Sequence, residues 1–96
     1  MRRASKIDRN QPEIVSALRK VGATVVTLAA VGDGVPDLLV GFRRSTFLLE
    51  VKDGSKPPSA RQLTPDQIKW HVEWIGGPCT VVSCVGEALA FIGAAE

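Results

Sequence analysis

The chain has 96 residues, of which 45% are hydrophobic, 23% charged and 5% aromatic. That length allows one small domain with a single core, and the ordinary globular composition excludes a disordered or fibrous chain. The formal charge of +2 conceals an uneven distribution: +3 over residues 1–9, +3 over residues 43–61, −3 over residues 62–96 and −1 over the rest.

The two long uncharged stretches, Val21 to Gly32 and Trp74 to Gly86, are both far short of the roughly 20 apolar residues that cross a bilayer. Met1 to Lys6 is charged and is followed by Asp8, Arg9, Asn10 and Gln11 rather than by an apolar segment, so no secretory signal is read. The expectation is a soluble, cytoplasmic protein without a membrane partner. Cys79 and Cys84 flank a likely strand, and with His71 as the one histidine they do not make a zinc set, so both are read as small buried hydrophobes.

Residues 1–9 form a basic, flexible arm, and residues 10–96 a single domain. Asn10 reads as an N-cap, with Pro12 in the first turn, Glu13 three residues on, and Ile14, Leu18 and Val21 at helical spacing; a helix over residues 11–21 stops at Gly22. Residues 23–30 are β-branched and read as a strand, and Gly32-Asp33-Gly34 as a turn. Leu38 to Phe42 and Thr46 to Lys52 are two further strands joined by Gly41 to Ser45. The segment from Asp53 to Leu63, with Gly54, Pro57 and Pro58, is an irregular loop. Thr64, Pro65 and Gln67 make a strong helix start, and Ile68, Val72 and Ile75 carry that helix to Gly76-Gly77. Trp70 and Trp74 widen its apolar arc, as core residues or as a subunit interface, and His71 reads as a packed or surface histidine. Cys79 to Val85 is a fourth strand, and Glu87 to Ala94 a closing helix. The fold class is α/β, with the order helix, three strands, helix, strand, helix and a mixed sheet flanked by helices.

Side chains alternate faces along a strand, so Glu50 and Lys52 project together while Val51 points away. A hairpin centred between residues 43 and 44 makes Asp37 the cross-strand neighbour of Glu50. Two carboxylates and an ammonium then meet at one end of the sheet, embedded in the apolar runs Asp37 to Val40 and Phe47 to Val51, where unpartnered charge is costly. Mg²⁺ commonly sits on one or two carboxylates plus phosphate oxygens and water, and such an ion suits phosphodiester hydrolysis, with Lys52 placed to orient water or to stabilise charge on the phosphate.

Gly34-Val35-Pro36-Asp37-Leu38-Leu39 followed by Glu50-Val51-Lys52 resembles the VRR-NUC (virus-type replication-repair nuclease) branch of the PD-(D/E)xK nuclease superfamily, and the element order is similar to that superfamily's restriction-endonuclease-like core. The resemblance implies Asp37, Glu50 and the backbone carbonyl of Val51 as ligands of Mg²⁺ or Mn²⁺, and Lys52 as the catalytic lysine. It also implies Glu13 as an additional acidic residue beside the metal and Gln67 as a glutamine near the scissile phosphate; each equally fits a helix capping box. Arg2, Arg3, Lys6, Arg9, Arg43, Arg44, Lys56 and Arg61 are candidate phosphate contacts. The likeness to single-domain viral members implies a metal-dependent endonuclease that cuts branched DNA, such as a four-way (Holliday) junction, as a homodimer. The alternatives are a nuclease for flaps or single-stranded ends, and a non-catalytic nucleic-acid-binding domain of the same fold.

Overall fold

In the computed structural model, residues 7–94 are described. Of the basic arm, Arg2, Arg3 and Lys6 lie outside that range. The elements are α1 (Gln11–Lys20), β1 (Thr24–Thr27), β2 (Leu38–Phe42), β3 (Ser45–Val51), a single 3₁₀ turn (Pro58–Ala60), α2 (Pro65–Glu73), β4 (Cys79–Val82) and α3 (Val85–Ile92). One four-stranded sheet runs in the order β1-β2-β3-β4. β1, β2 and β3 are antiparallel neighbours, and β4 returns parallel to β3 after the α2 crossover. The mixed sheet flanked by helices is the expected architecture. No helix among the described residues is long and apolar enough to cross a membrane.

Alternation along the strands divides the sheet into two unlike faces. Leu38, Val40, Leu49, Val51 and Val82 point to one side, where Ile14 and Leu18 of α1 and Ala88 and Ile92 of α3 cover them; all are at most 4% exposed. Phe47 joins this core by an edge-to-face contact with Phe91, ring centroids 5.7 Å apart. The opposite face carries Asp37, Leu39, Leu48, Glu50, Cys79 and Val81, and α2 lies against its end.

Local chemistry sets most boundaries. α1 ends in a paired cap in which Ala23 N–H donates to Leu18 O at 3.1 Å and Gly22 N–H to Arg19 O at 3.0 Å, with Gly22 at φ 100°. β1 is shorter than the eight residues expected, because Leu28 N–H still reaches Asp37 O at 2.7 Å but Val31 N–H then turns back to Leu28 O. β4 stops at Val82 rather than Val85, and α3 begins at Val85, where Ser83 N–H and Oγ both donate to Glu87 Oε1.

Three further expectations fail. The α1 capping box is absent: the Asn10 side chain makes no cap hydrogen bond, and Glu13 is exposed. α2 ends at Glu73 instead of running to Ile75, because Trp74 adopts an extended backbone, ψ 124°, and its indole N–H donates to Gly77 O at 3.1 Å. Of the two readings of the tryptophans, the core one fails: neither Trp70 of α2 nor Trp74 just past it joins the core. Trp70 is half-buried and Trp74 exposed, their rings stacked with centroids 4.9 Å apart. The Ile68, Val72, Ile75 stripe faces outward at 51%, 77% and 96% exposure, and no residue of α2 is buried. The cysteines also depart from expectation. Cys84, at the start of α3, is exposed, and Cys79 is half-buried with its Sγ 3.7 Å from His71 Nδ1.

Candidate active site

The β2-β3 pairing runs Leu38 with Leu49 through Phe42 with Ser45. Continuing that register one step places Asp37 across from Glu50 at the open end of the hairpin. Pro36 precedes Asp37 without a backbone N–H to extend the ladder, which frees the chain to leave the sheet there.

Asp37 and Glu50 are 3% and 2% exposed. Asp37 Oδ2 accepts from Val51 N–H at 2.7 Å, which fixes the aspartate against the end of β3. Burial raises the Asp37 pKa against the lowering effect of that hydrogen bond. Glu50 is pushed up to about 9, first by burial and then by Asp37 beside it, with Lys52 only partly offsetting. Without a cation the pair therefore retains a proton at neutral pH.

Lys52 and Gln67 close the other side of the pair. Lys52 Nζ donates to Gln67 Oε1 at 2.9 Å, and Gln67 Nε2 donates to Glu50 Oε2 at 3.1 Å. Gln67 also completes the α2 capping box: Thr64 N–H donates to its Oε1 at 2.9 Å, and its own N–H donates to Thr64 Oγ1 at 3.3 Å. Capping and site contact, set against each other on sequence grounds, are made by the same side chain. Gly34 seats this helix. At φ 80° it occupies the left-handed region, and a Cβ there would overlap the Asp66 carbonyl of the first α2 turn. The Gly34-Val35-Pro36-Asp37 segment thus docks α2 at its glycine and supplies a carboxylate at its aspartate.

Two residues missed by sequence reasoning join this end of the sheet. Asn10 Nδ2 donates to Lys52 O at 3.0 Å and to Ser83 O at 3.1 Å, tying the start of α1 to the ends of β3 and β4. Asp8 raises the pKa of both Asp37 and Glu50, so it is the further acidic group near the pair, a position Glu13 does not take. Asp8 has no helix pattern to mark it, and the contacts of Asn10 span 42 and 73 residues, beyond any local signal.

Among the described cationic candidates, Arg9 and Lys56 lie close enough to Asp53, just past Lys52, to lower its pKa, although the hydrogen bonds from Ser55 are the larger cause. Arg61 is half-buried, and its Nε has no hydrogen-bond partner among the described residues. Arg43 and Arg44 form the hairpin tip at the other end, about six residues or 20 Å from the carboxylates at the usual rise of a strand. Arg43 Nη1 donates to Gly93 O at the C-terminus of α3, and its guanidinium lies 4.8 Å over the Phe42 ring.

The donor set fits a hard divalent cation. Glu50 Oε1 is buried and receives no N–H or O–H donor among the described residues other than the proton it can share with Asp37, a place that an ion would take. No group of three His, Cys, Asp or Glu that could hold a metal occurs among those residues; the fit rests on the two carboxylates, Asp37 and Glu50, a number Mg²⁺ commonly takes from a protein.

No family model matches the chain, and no curated protein matches it. A solved structure described as a VRR_NUC domain superposes with a TM-score of 0.66 and 29% identity, over 93% of this chain and 96% of that one. The chain thus has the VRR-NUC fold, and that likeness supports a nuclease-like function in general.

Proposed function

We propose that this protein is a metal-dependent, structure-selective DNA endonuclease that hydrolyses phosphodiester bonds in branched DNA as a homodimer. The observation that carries this reading is the cluster of buried Asp37 and Glu50 with half-buried Lys52 and Gln67, and a Glu50 oxygen that no N–H or O–H donor reaches. In the proposal Asp37, Glu50 and the Val51 carbonyl hold Mg²⁺ or Mn²⁺, which when bound would supply Lewis-acid polarisation and a more acidic water.

The chain's own residues do the remaining work. Gln67 holds the Lys52 ammonium beside the carboxylates, where it donates to the attacking water or to a phosphate oxygen gaining charge. Asp37 is kept in place by the Val51 N–H and Glu50 by the Gln67 amide, so the site is organised before substrate arrives. Arg9 and Lys56 border this end and offset the repulsion that two carboxylates exert on a polyanion. A homodimer is supported by the apolar stripe on α2 and by the match between two-fold protein symmetry and a symmetric junction.

The test is cleavage of labelled junction, flap and single-stranded substrates with Mg²⁺ or Mn²⁺ and with chelator, beside Lys52→Ala. Metal-dependent cutting, highest on the junction and abolished in the variant with the fold intact, is expected. Equal cutting by the variant refutes the mechanism, and preference for a flap or an end replaces the substrate reading.

A further inference from the structure

His71 is a half-buried titratable group that the mechanism above leaves unused. It follows Gln67 on α2 by four residues, about 40° further round the helix, so its ring stands one turn beyond the carboxamide on the same flank. Against it lies Cys79, which pairs with Leu48 in the parallel β3-β4 ladder. Leu48 and Glu50 are two apart on β3 and share a face, so the imidazole lies over the side of the sheet that carries Glu50. Its two nitrogens are unequally served. Nδ1 is 3.7 Å from Cys79 Sγ, whereas Nε2 is shut off from solvent and has no hydrogen-bond partner among the described residues.

Charge identifies the partner that Nε2 lacks. Burial, together with the Glu50 charge, keeps the Cys79 thiol protonated, and burial favours the neutral imidazole, so a single ring proton sits on Nδ1 or on Nε2. After burial, the other cause that lowers the His71 pKa is the charge of Lys52, which places the ammonium within electrostatic reach of the ring. An N–H turned towards an ammonium is repelled and a nitrogen lone pair is attracted. The tautomer that suits this place therefore carries its proton on Nδ1, towards Sγ, and leaves Nε2 as an acceptor. Lys52 has donors to spare: of the three on its ammonium, one is used among the described residues, by Gln67 Oε1 at 2.9 Å. Nζ and Nε2 are not hydrogen-bonded in the structure, and the rotatable end of the four-carbon lysine stem supplies the movement that joins them.

We infer that His71 is a second positioning residue for Lys52: its Nε2 accepts from the ammonium that Gln67 Oε1 already holds, so successive turns of α2 fix two of the three N–H groups and aim the third at the attacking water or a phosphate oxygen. This rests on the nuclease reading above and adds to it a residue that neither the carboxylate-lysine motif nor the glutamine includes.

His71 is the single histidine of the chain, so its ring nitrogens give one unambiguous pair of NMR signals. The experiment reads those signals at neutral pH in chelator, with and without DNA, for the wild type and for Lys52→Met, and compares cleavage in Mg²⁺ by the wild type, His71→Phe and His71→Gln. The wild type should show the Nδ1–H tautomer with Nε2 shifted as a hydrogen-bond acceptor, and Lys52→Met should lose that shift. His71→Phe, which keeps a ring but no acceptor, should lower kcat at least tenfold with KM and helix content unchanged. His71→Gln, whose carboxamide oxygen can accept, should cut within roughly threefold of the wild type. An Nε2–H tautomer, or nitrogen signals identical in the wild type and Lys52→Met, overturns the contact. Full activity in His71→Phe, or equal loss in His71→Phe and His71→Gln, overturns the positioning role. The NMR comparison leaves residue 71 untouched, so a His71 variant that fails to fold does not shield the idea. Absence of cutting by the wild type under any condition refutes the nuclease reading, while the nitrogen signals still decide whether His71 accepts from Lys52.

Discussion

Replacing Glu50 by Gln, at nearly constant volume, should abolish cleavage yet make the metal-free protein more stable at and above neutral pH. The reason is the proton held by the carboxylate pair. Burial and Asp37 raise Glu50 from 4.5 to about 9 in the folded chain. A carboxyl raised in this way contributes its stability fully below the unfolded value, and that contribution is lost as pH rises towards the folded value. At pH 7.5 an unfolded Glu is ionised, and keeping the proton on it in the fold costs about 1.36 kcal/mol for each of roughly three pH units, a ceiling near 4 kcal/mol. Local relaxation around the pair lowers that figure, so the expected gain from Glu50→Gln is about 2 kcal/mol, or on the order of 10 °C in Tm for a domain of this size. At pH 5 the gain should nearly vanish. Denaturation in chelator at pH 5, 6.5 and 8 measures the difference directly, and Mg²⁺ should stabilise the wild type alone. Parallel stability curves for the two proteins across that range would refute the assignment of a buried, proton-retaining pair.

Gln67→Glu keeps the acceptor that caps α2 but removes the donor to Glu50 and adds a third carboxylate; helix content by circular dichroism should persist while cleavage falls at least a hundredfold. Gly34→Ala places a Cβ against the Asp66 carbonyl at a positive φ, so α2 must shift; a loss of about 1–3 kcal/mol in denaturant melts is expected, with cleavage reduced further than stability explains. Arg44→Gly removes a side chain at φ 67° from the hairpin tip and should stabilise the chain by about 1 kcal/mol in the same melts. If Arg44 contacts phosphate as its charge suggests, the same variant should lower the salt dependence of DNA binding by about one ion.

The hairpin was legible because two local signals agreed. Alternation placed Glu50 and Lys52 on one face, and the tight Arg43-Arg44 turn set a register in which residue 37 meets residue 50. What escaped the sequence was long-range or depended on burial. Asn10 carries every local mark of an N-cap, yet its amide goes to the Lys52 and Ser83 carbonyls, which only the packed sheet brings to the start of α1. The Ile68, Val72, Ile75 spacing predicts an amphipathic helix correctly, but periodicity reports that an apolar face exists and not which partner covers it; here it turns away from the core. Glu13 was the acidic residue at the right place in the sequence pattern, whereas Asp8, before the helix begins, is the one whose charge reaches the carboxylates.

Gln67 shows why two readings of one residue need not compete. A helix cap at this position requires only an acceptor, which Glu would provide as well as Gln. The site asks for more: an acceptor toward the Lys52 ammonium and a donor toward the Glu50 carboxylate, at 2.9 and 3.1 Å from a single carboxamide. Only an amide meets both needs, and because it also closes the first turn of α2, the helix cannot be displaced without uncoupling the lysine from the glutamate. The identity of residue 67 is therefore set by the sheet it faces rather than by the helix it begins, and the placement of α2 becomes a condition of the chemistry at Glu50 and Lys52.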